Sequence, residues 1–129
     1  FATPGVNIGL FCSTPMVAVS RNVSNKNSME MLLNGELISS DKAEKIGLIN
    51  KSVEDSELKK HTLEIALKIS KKSPKVLKIG KEAFYNQIDM TLSEAYNYAS
   101  QVMVENMLKL DAKEGISAFI DKRKPNWQD

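Results

Sequence analysis

Across 129 residues, 18 Lys and Arg stand against 16 Asp and Glu, with 42% hydrophobic residues and one cysteine. A chain of this length fits one domain able to bury roughly two-thirds of its unfolded surface. The interspersed, near-balanced charge excludes a field that draws nucleic acid non-specifically, and no apolar run is long enough to span a bilayer.

The chain opens on Phe1 inside an extended-looking stretch with no charged leader, and reads as a cut end. Residues 1–10 mix β-branched residues with Pro4, Gly5 and Gly9, which predicts the end of a strand and a tight loop. Ser13 and Thr14 offer hydroxyl caps and Pro15 a preset first helical position, so a short helix is expected from Pro15 to about Asn22. Ser24 or Asn25 caps the next helix, whose apolar face is Met29, Leu32 and Leu33 and whose stop is Asn34-Gly35. Ser39 or Ser40 opens a further short helix that closes at Gly47. Leu48–Val53 alternates like a brief strand, although so short a run is ambiguous.

From Asp55 or Ser56 the period is helical, with Leu58, Thr62, Ile65, Ala66 and Ile69 on one face. Ser73-Pro74 ends that helix and caps another, whose stripe of Val76, Leu77, Ala83, Phe84 and Gln87 contains Gly80, read as a point of close helix packing. Thr91-Leu92-Ser93-Glu94 is a capping box heading an amphipathic helix that runs toward Leu110. Asp111-Ala112-Lys113-Glu114 reads as a second box, opening a last helix that must end before Pro125. No repeat, linker or low-complexity tract interrupts the chain.

Single side chains give little chemistry on their own. Cys12 lacks the Cys and His neighbours of a zinc site, and one unpaired thiol fits a reducing, intracellular compartment. Without a base beside it in sequence, it reads as a small buried hydrophobe before it reads as a nucleophile. His61, between Lys60 and Thr62, reads as a surface histidine before a general base. The run Lys122-Arg123-Lys124 is a solvated helix end that suits the helix dipole, or else a phosphate contact.

The stretch Met29-Glu30-Met31-Leu32-Leu33-Asn34-Gly35-Glu36-Leu37-Ile38-Ser39-Ser40-Asp41-Lys42-Ala43-Glu44-Lys45-Ile46-Gly47-Leu48-Ile49-Asn50 resembles the enoyl-CoA hydratase/isomerase (crotonase) superfamily. Residues Phe1 to Leu10 resemble the loop of that family that precedes its acyl pocket. Lys113 to Pro125 resembles its C-terminal helix, and the opening variant is similar to the enoyl-CoA hydratase domain-containing proteins. The resemblance covers nearly the whole chain. It implies an α/β crotonase (ClpP/crotonase-like) fold in the parent, of which this portion is mainly α-helical with one or two short strands. Residues 1–53 correspond to the end of the spiral core with the active-site loop and short helices. Residues 54–129 correspond to a helical trimerisation and coenzyme A-covering region.

The resemblance also implies the chemistry. An acyl-CoA thioester, polarised by two backbone N–H donors, is the substrate, and no metal or separate cofactor is expected. Both donors and one of two hydratase glutamates belong to segments upstream of Phe1. The second glutamate falls on Gly5, which has no group able to carry a proton, so no catalytic residue is assigned. The family's glycine-rich pocket segment corresponds to Phe11-Cys12-Ser13-Thr14-Pro15-Met16, where bulkier residues narrow the pocket and Pro15 lacks an amide donor. Substrate contacts carry over to Phe11, Cys12, Ser13, Met103, Phe119 and Lys122, the last two at the adenine and phosphate end of coenzyme A. Expected partners are acyl-CoA and further copies of the chain in a homotrimer or hexamer, with no nucleic acid and no membrane, in the cytoplasm or mitochondrion. Two rivals remain: a non-catalytic homologue serving as a binding or structural subunit, and an unrelated helical interaction module.

Overall fold

The computed structural model describes residues 1–128, and they form two compact units, Phe1–Leu58 and a second from Lys59 onward. The elements in chain order are a 3-10 turn, Pro4–Ile8, and seven helices: α1 Ser13–Asn22, α2 Asn25–Asn34, α3 Ser40–Lys45, α4 Asp55–Ser70, α5 Pro74–Gln87, α6 Leu92–Met107 and α7 Leu110–Ile120. No strand occurs among the described residues. No helix among them is long and apolar enough to cross a membrane.

In the first unit the opening segment coils where the sequence predicts a strand end. Pro4 begins the 3-10 turn and Gly9 ends it at φ 77°. Only the backbone of Phe1 pairs in a strand-like way, exchanging two hydrogen bonds with Ile38 (2.8 and 3.1 Å). The turn is tied to α2 by two polar links: the Thr3 hydroxyl donates to the Met31 carbonyl (2.8 Å) and the Asn7 amide to the Gly35 carbonyl (3.1 Å). Helix α1 starts two residues earlier than expected. Its Ser13 hydroxyl donates back to the Phe11 carbonyl (3.3 Å) and does not cap. Pro15 is still accommodated, because the amides of the first turn have no intrahelical partner.

Helix α2 buries Ser28, Met31 and Leu32, so Leu32 is core as expected, while Met29 and Leu33 are exposed. The polar links from the 3-10 turn select the Met31 face. Ser39 caps α3 by accepting from Lys42 N (3.1 Å), and Ala43 of α3 is fully buried. Leu48–Asn50 bends and the chain from there to Val53 is irregular, in place of the expected strand. The Glu44 carboxylate draws this segment back onto α3, accepting from Ser52 N (2.7 Å) and Lys51 Nζ (2.9 Å), while Leu48 N donates to the Ala43 carbonyl. Those two hydrogen bonds, the backbone one first, also hold the Glu44 carboxyl below its ordinary pKa.

In the second unit the caps follow the sequence closely. Ser73 accepts from Val76 N (3.1 Å) with Pro74 in the first turn of α5. Thr91 and Glu94 form the full capping box of α6, and the Thr91 hydroxyl and amide keep the Glu94 carboxyl ionised to lower pH than usual. Helices α5 and α6 are joined by Asn86 donating to the Tyr98 hydroxyl (3.0 Å). Gly80 does not mark a close approach, since a Cβ built on it would meet nothing within 4 Å. Its weakening of the helix is therefore not explained by packing within the described residues.

The second capping box does not form. Helix α7 begins at Leu110 with Lys109 at its N-cap and no side-chain cap. Asp111 is only 1% exposed and accepts from Gln128 N (2.6 Å), and Glu114 accepts from Asn126 N (2.7 Å). The segment after α7 folds back along the helix and supplies its own N–H donors, which compete successfully for both carboxylates. Trp127 closes this return, lying 3.4 Å from where a Gly115 Cβ would stand and donating its indole N–H to the Lys71 carbonyl (2.8 Å).

Candidate functional site

Two local arrangements carry the residues singled out from the sequence, one in each unit. Gly5, Phe11, Cys12 and Ser13 lie in the first, and Met103, Phe119 and Lys122 in the second.

Around Gly5 the loop is closed. Leu10 N donates to the Gly5 carbonyl (2.9 Å), and Gly5 N donates to the Cys12 thiol sulfur (3.3 Å). A Cβ on residue 5 would stand 2.6 Å from the Leu10 carbonyl oxygen and 2.8 Å from Cys12 Sγ. Gly5 therefore does more than lack a proton-carrying group: its loop occupies the space through which any side chain would leave. Cys12 is half-buried and takes part in this closure as a hydrogen-bond acceptor, beyond the plain hydrophobe expected from sequence. Phe11 is 43% exposed and Ser13 is exposed. The amides of Ser13 and Met16 are spent within the segment, on the Phe11 (2.7 Å) and Cys12 (2.9 Å) carbonyls.

In the second unit, Phe119 is 85% exposed at the end of α7, so its ring is not part of this unit's core. It forms one edge of an apolar groove of about 430 Å³ whose walls include Val76, Met107, Ile116 and Trp127. Three residues on, Lys122 takes φ 54°. Its N–H donates to the Phe119 carbonyl (3.3 Å) and Arg123 N to the Ala118 carbonyl (3.0 Å), the paired bonds of a left-handed helix stop. Phe119 in the last turn of α7 and Lys122 at its left-handed stop thus stand three positions apart in the chain, both exposed. Met103 is exposed on α6 and does not line the groove. His61 is half-buried on α4.

Sequence reasoning missed the partners of Arg123. Its guanidinium grips Glu114 with two hydrogen bonds (2.6 and 3.0 Å) and reaches Asp121 Oδ2 at 3.4 Å. The Arg123 hydrogen bond, followed by the Asn126 amide, pulls the Glu114 carboxyl down to about 2. Of the basic run, Arg123 is thus committed to carboxylates of its own chain. Among the described residues no carboxylate pairs with the ammonium of Lys122. The signal available in the sequence was a Glu nine positions before Arg123, with Pro125 turning the chain back. No group of three metal-ligating side chains occurs among the described residues.

Comparison with known proteins bears on both arrangements. The whole chain, residues 1–129, matches the family model described as enoyl-CoA hydratase/isomerase. It is 53% identical over 127 residues to the mitochondrial enoyl-CoA hydratase domain-containing protein 3 of Mus musculus, covering 98% of this chain and 42% of that protein. The crystal structure of the human enoyl-CoA hydratase domain-containing protein 3 superposes with a TM-score of 0.92 at 50% identity, over 98% of this chain and 50% of that one. An enoyl-CoA hydratase structure from Mycobacterium smegmatis superposes at 0.94 with 44% identity, over 98% and 49%. The chain thus spans about half the length of the relatives it matches. With its full length matched by the family model and its backbone superposing on crotonase-like structures of about twice its length, the chain belongs to the enoyl-CoA hydratase/isomerase family.

Proposed function

We propose that this chain is the C-terminal part of an acyl-CoA-binding protein, that it presents the adenine and phosphate end of coenzyme A with Phe119 and Lys122, and that it does not catalyse by itself. The observation that carries the reading is the presence, within three positions at the end of α7, of an exposed aromatic ring and an ammonium that has no carboxylate partner among the described residues. An apolar face suits adenine and a free cation suits phosphate. Phe11, Cys12, Ser13 and Met103 are proposed to face the acyl end. Assembly into a trimer or hexamer, with the Phe119 and Lys122 pair reaching the site of a neighbouring copy, and a mitochondrial location both accompany this reading.

Catalysis in this family calls for thioester-polarising amides and carboxylates that these 129 residues do not supply. Losing one oxyanion donor costs about 10² to 10³ in rate, and losing general acid/base help about 10² to 10⁴. A second reading, a non-catalytic homologue that binds acyl-CoA without hydrating it, is favoured by the closed Gly5 loop. There, the Leu10 carbonyl and Cys12 sulfur crowd the exit of any side chain.

Calorimetric titration of the full-length parent with an enoyl-CoA, combined with loss of the enoyl absorbance, tests both readings. Expected are saturable binding by the parent, weaker binding in Phe119→Ala, and no turnover by the 129-residue chain. Absence of binding ends the first reading, and hydration by the parent at ordinary enzymatic rates ends the second. Gly5→Glu is expected to restore no hydration, because its Cβ collides with backbone before the carboxylate can be placed.

A further inference from the structure

Four residues among those described hold a left-handed backbone: Gly9 (φ 77°), Gly35 (62°), Gly47 (81°) and Lys122 (54°). At three of them the sequence uses glycine, the residue without a Cβ penalty in that conformation. Lys122 sits at the same kind of helix stop as Gly9 and Gly47, with the same paired backbone bonds, and glycine there would serve the stop better. A side chain retained where the backbone disfavours it points to a use for the side chain.

The residues flanking Lys122 are both held down. Arg123 grips Glu114 of α7 through both its terminal nitrogens and touches Asp121 through Nε. Glu114 also takes the Asn126 amide, so one carboxylate anchors the chain beyond the stop to the helix before it. The same fork occupies the carboxylates of Glu114 and Asp121, and among the described residues none pairs with the Lys122 ammonium.

Resting on the coenzyme A reading above, we propose that the Glu114–Arg123 clasp is the positioning device of that site: it holds Lys122 in its left-handed turn beside Phe119 and keeps local carboxylates away from the ammonium, so that this cation meets a coenzyme A phosphate. Glu114 and Arg123 are positioning residues in this scheme and touch no ligand.

The test uses the full-length parent, titrated with an acyl-CoA and, by competition, with the matching acyl-pantetheine, which has the same acyl arm and no phosphate. Charge-assisted hydrogen bonds set the scale, roughly ten-fold or more in affinity. Lys122→Gly is expected to melt at the same or a higher temperature, to lose about ten-fold in acyl-CoA affinity by that scale, and to bind acyl-pantetheine unchanged. Glu114→Gln is expected to lose acyl-CoA affinity several-fold with acyl-pantetheine again unchanged, and the charge swap E114R/R123E to recover most of it. If Lys122→Gly leaves acyl-CoA affinity untouched, the coenzyme A reading itself fails at this position. If Lys122→Gly weakens binding but Glu114→Gln does not, or weakens both ligands equally, the clasp is structural only and the inference is overturned.

Discussion

The ends of α2 and α7 solve one problem with different residues. Both helices stop in a left-handed turn, at Gly35 and at Lys122. At Gly35 the neighbours leave no choice: a Cβ there would lie 2.8 Å from Val6 Cγ2 and about 3 Å from the Asn7 amide, whose nitrogen already donates to the Gly35 carbonyl. At Lys122 the turn is exposed, held by an ion pair on the following residue and not by packing. The first stop is shaped by the core it closes. The second places a residue with a Cβ in a turn that favours glycine, which under the proposal above positions a cation.

The sharpest way to break this contrast is to loosen the α2 end from within. Leu32, 1% exposed in the last turns of α2, should cost about 2–5 kcal/mol when cut to alanine, read by denaturant unfolding. A loss below about 1 kcal/mol would mean that the core does not hold the Gly35 stop in place. Next in size, Gly35→Ala should cost about 1–3 kcal/mol, because the left-handed backbone and the contact with Val6 both penalise a Cβ. At the other stop the sign reverses. Lys122→Gly should gain about 1 kcal/mol in unfolding free energy, while Lys122→Ala, which keeps a Cβ, should gain nothing. If both gain alike, the relief comes from removing charge and not from the backbone.

The smallest effect is the acid response of the clasp. The Glu114 carboxyl stands at about 2 in the folded protein against an ordinary 4.5, so its contribution is complete above about 4.5 and is lost as pH falls toward 2. The stability gap between the native protein and Glu114→Gln should therefore narrow over that window and stay constant above it. Glu44 and Glu94, whose carboxyls are also held low, are present in both proteins and cancel in the difference. A gap that does not change with pH would show that Arg123 does not grip the ionised carboxylate.

Much of the helical plan was legible in the residues because it depends on partners within a turn. Ser39, Ser73 and Thr91 each accept from an amide three positions on, and Gly35 and Gly47 supply left-handed backbone where the pattern stops. Such interactions are written into short words of sequence, and so were the family motifs. Three features were not. Leu48–Val53 has the alternation of a strand, yet Glu44 holds it as bends and irregular chain through bonds to residues seven and eight positions away. Asp111 and Glu114 have the spacing of a capping box, yet they serve amides 17 and 12 positions downstream. Met31 took the buried place expected for Met29 and Leu33, because Thr3, 28 positions earlier, chose the face.

By itself, then, the order of residues determined the capped starts of α3, α5 and α6 and the glycine stops, which family pattern the chain carries, and that residue 5 holds no proton carrier. Tertiary structure alone decided that the Gly5 loop leaves no exit for a side chain, that Phe119 stays exposed, and that Arg123 is spent on Glu114 while no carboxylate among the described residues pairs with Lys122. The reason is range. A cap or a glycine stop is satisfied by its own backbone, whereas a carboxylate accepts from whichever donor the folded chain brings nearest, and only the fold says which that is.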